Sequence, residues 1–374
     1  MVVYVIYQQN RWMSFEWIAR DLDRASFSLH VVLLYDGHAP YASYLEAQNV
    51  PVHHVQFTGL SDWRKAVPKL ARYLREVNAR IVHTHFINAG LVGLPAAWLA
   101  GVAVRLYTRH HAGKTPWHPR GPMGLMLDRV NNFFATRVIA PSRLVESALL
   151  VQDGAPPQKV VVNNHGFDLK TFTGVTLERV TRQRQKHGIN GRPVIGVVAR
   201  YLELKGIHYT IEAFARLRGK YPEALLLLAN AFGPYRDTIR THLSHLPQGS
   251  YVEIPFEEDI PALFHTFDLF VHVPLKDCEA FGQVFIESLS CGIPSVFTPT
   301  GIAKEFVTPG IQALIVDFQD AAAIEESMYQ ILDDSSLRQS LIESGKRAVL
   351  ERFTFARHLR DMENLYLDLC GQDS

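Results

Sequence analysis

The sequence predicts an α/β fold with two doubly wound parallel-sheet domains, Rossmann-like in layout, that face each other across a cleft. Three observations support this prediction. Short apolar, β-branched runs alternate with segments of helical length, which is typical of a parallel sheet wrapped by helices on both faces. The alternation stops at a polar stretch, residues 178–192, and then starts again. The chain has 374 residues, more than one hydrophobic core usually organises.

The first half of the chain contains the first set of alternating units. Its apolar runs predict strands at residues 2–7, 30–35, 80–85, 104–108, 136–142 and 159–166. The segments between them predict helices at residues 17–25, 63–78, 89–99 and 126–135. No basic residue precedes the first apolar run, which favours a buried first strand over a signal peptide.

The second half of the chain repeats the pattern. Its predicted strands are residues 193–200, 224–230, 250–255, 268–273 and 294–298. Fully apolar runs such as LLLLA suit strands that are buried on both faces, as parallel strands are. Ligands of doubly wound sheets bind beyond the carboxyl ends of the strands, so the residues that follow these strands are the candidates for a site.

The composition excludes several other classes of protein. Hydrophobic residues make up 47% and charged residues 20% of the chain, as in ordinary globular proteins, and no apolar run is long enough to cross a bilayer. The three cysteines, Cys278, Cys291 and Cys370, form no C-x-x-C pair, which argues against a disulfide framework and a structural zinc site. We therefore expect a cytoplasmic protein.

Two glutamates lie in a largely apolar stretch after the predicted strand 268–273. Glu279 falls in the loop at the strand's carboxyl end, and Glu287 falls on a helix predicted from about Gly282 to Cys291. A carboxylate among apolar neighbours is costly to desolvate unless its oxygens accept hydrogen bonds, and sugar hydroxyls are suitable donors. The alternative is that Glu287 pairs with a core arginine and Glu279 is a solvated loop residue.

The start of this helix and the loop after strand 193–200 both suit an anion. Backbone N–H groups near Phe281, Gly282 and Gln283 open the helix and can bind a phosphate. Arg200 and Lys205 flank the other loop. An arginine fork, a lysine charge and a helix N-terminus would together offset the charge of a nucleoside diphosphate without a metal ion.

Together these two stretches resemble the motifs of the retaining family 4 glycosyltransferases, which have the GT-B fold. The segment EAFGQVFIE, Glu279 to Glu287, matches the family's E-x7-E motif. The segment ARYLELKG matches its G-R-x-x-x-x-K-G motif, with Ala199 in place of the first glycine. Weaker similarity extends over most of the chain, at residues 81–90, 107–111, 138–144, 163–172, 300–306 and 352–366.

The resemblance implies a hexosyltransferase-type enzyme. Such an enzyme moves a sugar from a nucleotide-diphosphate donor, such as a UDP- or GDP-sugar, to an acceptor, with retention of anomeric configuration and without a metal ion or cofactor. The implied acceptor is a glycan, a lipid-linked sugar or a small molecule, and no nucleic-acid partner is expected. The other possibility is a GT-B-like nucleotide-sugar epimerase or a non-catalytic nucleotide-sugar-binding homologue, which acceptor-dependent turnover of the donor would distinguish.

The resemblance also implies roles for individual residues. Glu279 would contact the donor sugar near its reacting carbon, and His110, in Thr108-Arg109-His110, matches the T-x-H histidine beside that carbon. The implied donor-binding residues are Arg200, Lys205, Phe281, Gly282, Gln283 and Glu287. Arg200 and Lys205 would hold the diphosphate, the backbone amides of the helix start would assist, and Glu287 would bind the ribose hydroxyls.

The two domains have different implied tasks. Residues 1–180 would form the acceptor-side domain, with a C-terminal helix at about 353–374 packing back on it, and residues 190–352 would bind the nucleotide sugar. One departure concerns the turn after the first strand, where many members carry a Gly-Gly pair and this chain has Gln8-Gln9-Asn10-Arg11-Trp12.

The first half of the chain is basic. Residues 1–150 carry 16 Lys and Arg against 9 Asp and Glu, a net charge of +7, whereas the remainder carries 22 against 28, a net charge of −6. Residues 63–80 are rich in arginine and lysine, and the loop 113–126 mixes basic residues with Trp117 and methionines. Peripheral contact with an anionic membrane at its inner face is one hypothesis. The alternative is that the arginines are solvated and the apolar residues line an acceptor pocket.

Two further patterns could indicate a metal ion. His83 and His85 share a strand face, and His110 adjoins His111, but histidines at strand ends are more often hydrogen-bonded or substrate-facing than metal ligands. Asp21-Leu22-Asp23 spells a D-x-D motif but lies within a helical pattern, which favours a solvated face. No metal site is predicted.

Overall fold

The computed structural model of the chain describes residues 1–7, 12–35, 40–113, 121–190 and 193–371. The chain divides into two compact units. The first unit comprises Met1–Phe167 and Phe355–Ser374, and the second comprises Asp168–Thr354.

The first unit is a parallel sheet with helices between its strands. Its strands are β1 (Val2–Tyr7), β2 (Leu29–Tyr35), β3 (Val52–Gln56), β4 (Ile81–His85), β5 (Val104–Thr108), β6 (Arg137–Ala140) and β7 (Val160–Val162). Its helices before the domain boundary are α1 (Met13–Asp21), α2 (Pro40–Ala47), α3 (Trp63–Glu76), α4 (Ile87–Ala100), α5 (Pro122–Phe134) and α6 (Arg143–Ser147). Across the described residues the seven strands lie in the order β3-β2-β1-β4-β5-β6-β7 and every pairing is parallel.

The second unit repeats this plan with a six-stranded sheet, counted over its described residues. Its strands are β8 (Val194–Val198), β9 (Leu225–Ala229), β10 (Tyr251–Ile254), β11 (Leu269–His272), β12 (Ser295–Phe297) and β13 (Leu314–Ile315). Its helices are α7 (Lys170–Thr173), α8 (Leu177–Lys186), α9 (Ile207–Leu217), α10 (Arg236–Leu243), α11 (Ile260–Phe264), α12 (Gln283–Ser290), α13 (Ala303–Phe306), α14 (Ala321–Asp333) and α15 (Ser335–Arg352). The parallel strands follow the order β10-β9-β8-β11-β12-β13.

All the strands predicted from apolar runs are confirmed in both units. The prediction missed β3, whose sequence VHHVQ is interrupted by two histidines, and β13, which is only two residues long. The strand β9, LLLLA, is buried along its whole length, as expected for a central parallel strand covered on both faces.

Each unit has its own hydrophobic core. In the first, side chains of β1 and β2 such as Val5 and Leu34 pack with Leu70 of α3 and Val92 of α4. In the second, aliphatic side chains of β8, β9 and β11 pack with α9 and α14, where Phe214 is fully buried. The cores account for the alternation of apolar strands and amphipathic helices in the sequence.

The boundary between the units lies before residue 168, whereas the sequence analysis assigned residues up to 180 to the first domain. The polar helix α8 belongs to the second unit because its basic side chains pair with acids there. Arg179 Nη2 lies 2.6 Å from Asp259 Oδ1, and Lys186 Nζ lies 2.9 Å from the buried Glu257. These acids are distant in sequence, so a local pattern could not identify the pairing.

The last helix, α16 (Phe355–Gly371), groups with the first unit. The amide of Phe355 donates to the carbonyl of Phe167 at 2.8 Å. Further along, the buried Tyr366 hydroxyl lies 2.6 Å from the Tyr4 hydroxyl of β1 and 2.7 Å from His83 Nδ1 of β4. The helix therefore covers the strands of the first sheet with a buried polar network as well as with apolar side chains.

Candidate active site

The site residues predicted in the second unit follow two adjacent strands of its sheet, and a residue that was not predicted, Thr300, follows a third. Arg200 and Lys205 follow β8, Glu279 follows β11, and the loop after β12 contains Thr300. Because β8, β11 and β12 are neighbours and parallel, their carboxyl ends meet at one edge of the sheet. The structure thus brings together two motifs that lie about eighty residues apart in the sequence.

Glu279 is tied to Lys205 and to His272. Lys205 Nζ donates to Glu279 Oε1, and His272 Nε2 lies 3.1 Å from the same oxygen. Burial by itself would raise the pKa of Glu279, but the charge of Lys205 and the hydrogen bond from His272 outweigh it and hold the pKa well below its ordinary value. Glu279 is therefore ionised at neutral pH.

Glu287 has the opposite environment. It lies on α12 with only 8% of its surface exposed, and no described residue donates a hydrogen bond to its carboxylate or forms an ion pair with it. Burial raises the pKa of Glu287 to about 7. The pairing with a core arginine, considered above as the alternative, is absent from the described part of the chain. A buried carboxylate without partners is costly, and hydroxyl donors of a ligand would satisfy it.

Arg200 is partly buried at the same edge. Burial lowers its pKa, and the negative charge of Glu279 opposes that shift. An arginine remains protonated under such conditions because its ordinary pKa is so high. Arg200 and Lys205 therefore supply two positive charges, only part of which the Glu279 carboxylate balances.

Two helices begin at this edge with glycine. Gly206 precedes α9 with φ +65°, and Gly282 precedes α12 with φ +83°. A Cβ at Gly206 would lie 2.0 Å from the Val273 carbonyl oxygen, and one at Gly282 would lie 2.4 Å from the Phe285 ring. A side chain at either glycine would therefore clash with its neighbours, and N-terminal N–H groups of this kind favour anions.

The first unit places His110 just after β5, among aromatic rings. Its ring stacks on Phe86 at 4.3 Å and on His165 at 5.3 Å between centroids, and its Nε2 lies 3.3 Å from His85 Nδ1. Burial and the neighbouring histidines His111 and His83 lower the pKa of His110 to about 3. His110 is therefore a neutral imidazole held in one orientation by stacking.

Arg109, next to His110, anchors this segment. Its side chain is 1% exposed, donates through Nε to the His111 carbonyl at 3.0 Å, and forms ion pairs with Asp153 and, at 3.5 Å, with Asp128. The Arg109 guanidinium thus connects the backbone carbonyl of His111 to Asp128 on α5 and to Asp153 in the segment after α6. Sequence reasoning did not identify Arg109 because both carboxylates are far away in sequence.

Two family models match the chain. The model described as "Glycosyl transferases group 1" matches residues 179–348, and "Glycosyl transferase 4-like domain" matches residues 12–166. The chain is a family 4 glycosyltransferase with the GT-B fold. The two matches fall on the second and first units respectively, and together they span most of the chain.

Several proteins of known name are similar in sequence to this glycosyltransferase. The capsular polysaccharide biosynthesis glycosyltransferase CapM of Staphylococcus aureus is 25% identical over 81% of this chain and 80% of that protein. The N-acetyl-alpha-D-glucosaminyl L-malate synthase of Bacillus anthracis is 22% identical over 82% and 79%. A GDP-mannose-dependent phosphatidylinositol monomannoside mannosyltransferase of Mycolicibacterium smegmatis is 30% identical, but over only 46% of this chain and 47% of that protein.

Solved structures share the fold of this glycosyltransferase at low identity. Anabaena Alr3699/HepE in complex with UDP-glucose has a TM-score of 0.84 and 21% identity, covering 98% of this chain and 100% of that chain. Sucrose-phosphate synthase from Thermosynechococcus elongatus has a TM-score of 0.79 and 19% identity, covering both chains completely. These likenesses bear on the fold alone.

The described residues also bear on the metal-ion patterns and on membrane-spanning segments. Within the described ranges no group of three or more His, Cys, Asp and Glu residues is placed to hold a metal ion, and none of the helices is both long and apolar enough to cross a membrane. Asp21 of the D-x-D sequence pairs with Arg20 at 2.6 Å on the surface. The segment Gln8-Gln9-Asn10-Arg11, where the family carries glycines, lies outside the described residues, as do residues 114–120.

Like Thr300, His272 lies at this edge of the second sheet and was not predicted from the sequence. It is the last residue of β11 and is 2% exposed. A signal existed, because a histidine ends an otherwise apolar strand, DLFVHV, immediately before the loop of the motif. Its hydrogen bond with Glu279 could not be predicted, because it forms only where the loop after β11 folds back toward the end of that strand.

Proposed function

We propose that this glycosyltransferase transfers a hexose from a UDP- or GDP-sugar with retention of anomeric configuration and without a metal ion. The observation that carries the proposal is the pair of glutamates on one motif, of which Glu279 is ionised beside Lys205 and Glu287 is buried with no partner among the described residues. The unpaired carboxylate of Glu287 on α12 suits the hydroxyl donors of a ligand, and Lys205 and Arg200 beside Glu279 suit its anionic group.

The donor-binding roles follow from this chemistry. Arg200, Lys205 and the amides at the starts of α9 and α12 would hold the diphosphate, because each offers positive charge or N–H donors to phosphate oxygens. Phe281, Gly282 and Gln283 would take part through their backbone. Glu287 would accept from the ribose hydroxyls, which removes the cost of burying an unpaired carboxylate. The names of HepE complexes with UDP-glucose and of a GDP-mannose-dependent mannosyltransferase support donors of this class.

Glu279 and His110 would act on the sugar itself. In the proposed transfer, the bond between the anomeric carbon and the diphosphate oxygen breaks and the acceptor hydroxyl oxygen bonds to that carbon on the same face. The hydroxyl proton goes to the leaving diphosphate, whose charge Arg200 and Lys205 stabilise. A neutral His110 would contribute a hydrogen bond to the sugar rather than a charge.

A thermal-shift screen of UDP-, GDP- and ADP-sugars identifies the donor, and turnover of that donor with candidate acceptors tests transfer. We expect donor consumption to require an acceptor, and NMR of the product to show the anomeric configuration of the donor. Acceptor-independent isomerisation of the nucleotide sugar would instead establish an epimerase. Binding without turnover for any acceptor class would establish a binding homologue, and an inverted product would overturn the retaining mechanism.

We further propose a lipid-linked or otherwise anionic acceptor, reached at the face of an anionic membrane. The outer side of α3 exposes Arg64, Lys65, Lys69, Arg72 and Arg75, while its inner side is apolar and packed against α4. Next to α4, helix α5 exposes Met123, Met126 and Phe133 at 56–74% of their surface. Basic side chains near exposed methionines and aromatics suit anionic lipid headgroups, with each charge contributing up to about 1 kcal/mol.

Vesicle sedimentation tests the membrane part of this proposal. We expect salt-sensitive binding to anionic but not neutral vesicles, reduced by Lys65→Glu with Lys69→Glu. The pair Arg347→Glu with Arg352→Glu is the matched control, because it makes the same charge change at exposed positions of α15 in the second unit. No binding at low salt, or equal loss in both double variants, would leave the basic residues as a solvated face.

A further inference from the structure

The two oxygens of the Glu279 carboxylate are not equivalent. Oε1 accepts from Lys205 Nζ and from His272 Nε2, whereas no described residue donates to Oε2. Two donors on one oxygen fix the rotation of the carboxylate and leave the other oxygen open. A substrate group would therefore meet a carboxylate whose orientation is set before binding.

His272 cannot itself reach a substrate. It is 2% exposed, and its ring lies 5.1 Å from the Phe285 ring in an edge-on arrangement. A carboxylate oxygen only accepts hydrogen bonds, so His272 Nε2 carries the proton and Nδ1 is the bare nitrogen. Nδ1 is buried and has no hydrogen-bond partner in the described part of the chain. Burying an imidazole with one nitrogen unsatisfied lowers the stability of the protein. A functional role for the hydrogen bond from His272 to Glu279 would explain why a histidine occupies this position.

The backbone of Glu279 is held separately, from the loop after β12. The Thr300 hydroxyl, fully buried, accepts from the amides of Cys278 at 3.0 Å and Glu279 at 3.1 Å. The Ile302 amide donates to the Phe281 carbonyl at 2.8 Å. One hydroxyl therefore satisfies two consecutive amides of the loop, and the loop is fastened on both sides of Glu279.

We propose that His272 and Thr300 are positioning residues for Glu279. His272 orients the side chain through Oε1, Thr300 fixes the backbone that carries it, and the open Oε2 is thereby presented to the donor sugar. Neither residue is assigned by the E-x7-E motif, since both lie outside it. The inference rests on the role proposed above for Glu279. It adds two residues that hold the Glu279 side chain and backbone in the orientation which that role requires.

Paired substitutions at each position test this inference. His272→Leu removes the donor while matching the apolar surroundings, and His272→Gln places an amide N–H near the position of the lost Nε2. Thr300→Val removes the hydroxyl at nearly constant shape, and Thr300→Ser keeps it. The controls are His265→Leu and Thr266→Val in the same unit, whose side chains bond the carbonyls of Phe172 and Leu263 instead.

The readouts are the thermal midpoint, the affinity for UDP or GDP, and the separate values of kcat and KM. We expect His272→Leu and Thr300→Val to lower kcat tenfold or more while nucleotide affinity changes less than threefold, and the Gln and Ser variants to recover most of kcat. The control variants should lose comparable thermal stability and keep wild-type kcat. Equal losses in conservative and non-conservative variants, or wild-type kcat in both His272→Leu and Thr300→Val, would overturn the inference.

A double-mutant cycle separates this inference from the proposed function. Because His272 acts through Glu279, His272→Leu should lower kcat in the wild type and have no further effect on a Glu279→Gln background. Additive losses would mean that His272 acts elsewhere. If Glu279→Gln itself retains full transfer, the proposed function has failed at Glu279. If Glu279→Gln is inactive and His272→Leu and Thr300→Val are fully active, only the positioning role has failed.

Discussion

The carboxyl edges of the two sheets carry opposite kinds of polar groups. At the first, buried histidines are held neutral: burial lowers the pKa of His85 well below its ordinary value and that of His110 to about 3. At the second, Glu279 is ionised beside Lys205, and Arg200 adds a further positive charge. His110 at the first edge is held by stacking and a hydrogen bond, with the ion pairs of Arg109 beside it, whereas Glu279 at the second edge is held by the charge of Lys205 and the hydrogen bond of His272.

This difference indicates how a transferase can divide its work. A nucleoside diphosphate carries most of the charge of a donor, so its affinity should depend on the charged edge of the second unit. A neutral, stacked imidazole contributes little to the binding of an anion, but it can donate or accept one well-aligned hydrogen bond as the sugar reacts. We expect substitutions at the two edges to affect different steps.

The largest expected effect is that a substitution at the first edge lowers kcat, whereas one at the second edge weakens nucleotide binding. His110→Ala should lower kcat by about 100-fold, a typical cost of losing one transition-state donor, and leave the affinity for UDP or GDP within twofold. Lys205→Ala should weaken nucleotide binding by about 10- to 100-fold, as expected for a charge-assisted contact. Calorimetry and initial rates measure both. Weakened nucleotide binding in His110→Ala would show that the charge-based division is wrong.

The buried carboxylate of Glu287 should make the stability of the protein depend on pH. Its folded-state pKa of about 7 lies above the usual 4.5, so the folded state holds the extra proton between these values. Wild-type stability should therefore fall as pH rises from about 4.5 to 7, by about 3 kcal/mol for this group. Glu287→Gln, which has no such proton to lose, should be about 3 kcal/mol more stable than wild type at pH 8 and equally stable at pH 4.5.

The same variant should bind UDP or GDP more weakly, because the amide offers one acceptor oxygen where the carboxylate offers two. Urea unfolding at pH 4.5 and 8 tests the stability, and calorimetry tests the affinity. A stability difference that does not change with pH would show that Glu287 is not buried and unpaired. Unchanged nucleotide affinity in both Glu287→Gln and Glu287→Ala would remove Glu287 from the donor site.

A smaller effect is expected at Phe86, which stacks on His110 at the first edge. Phe86 has φ +69° and ψ 159°, a region that essentially only glycine adopts without strain. Phe86→Gly and Phe86→Ala both remove the ring, but only glycine relieves the backbone. We expect Phe86→Gly to be more stable than Phe86→Ala by about 1–3 kcal/mol, with kcat lowered alike in both. An alanine variant as stable as the glycine variant would mean that the backbone there is unstrained.

The strands and motifs at the two sheet edges could be predicted from the sequence, but the contacts between distant residues could not. Strand positions and the two motifs followed from local patterns, because apolar runs and motif spacing are properties of consecutive residues. The partners of Glu279 did not, since Lys205 is bonded to it across 74 positions and His272 reaches it only through a fold-back of the loop. The placement of α8 was missed for the same reason, as its partners Asp259 and Glu257 lie 70–80 positions further on.

The smallest expected effect is that of chelation, for which we expect none. Metal-dependent transferases use a divalent cation to offset the charge of the leaving diphosphate, which is about two negative charges at the transition state. Here Arg200, Lys205 and the starts of α9 and α12 lie at one sheet edge and together supply positive potential. Turnover should therefore be unchanged in EDTA, and added Mg²⁺ or Mn²⁺ should not rescue Lys205→Ala. Loss of activity in EDTA with recovery on adding either ion would show that the charged edge is insufficient by itself.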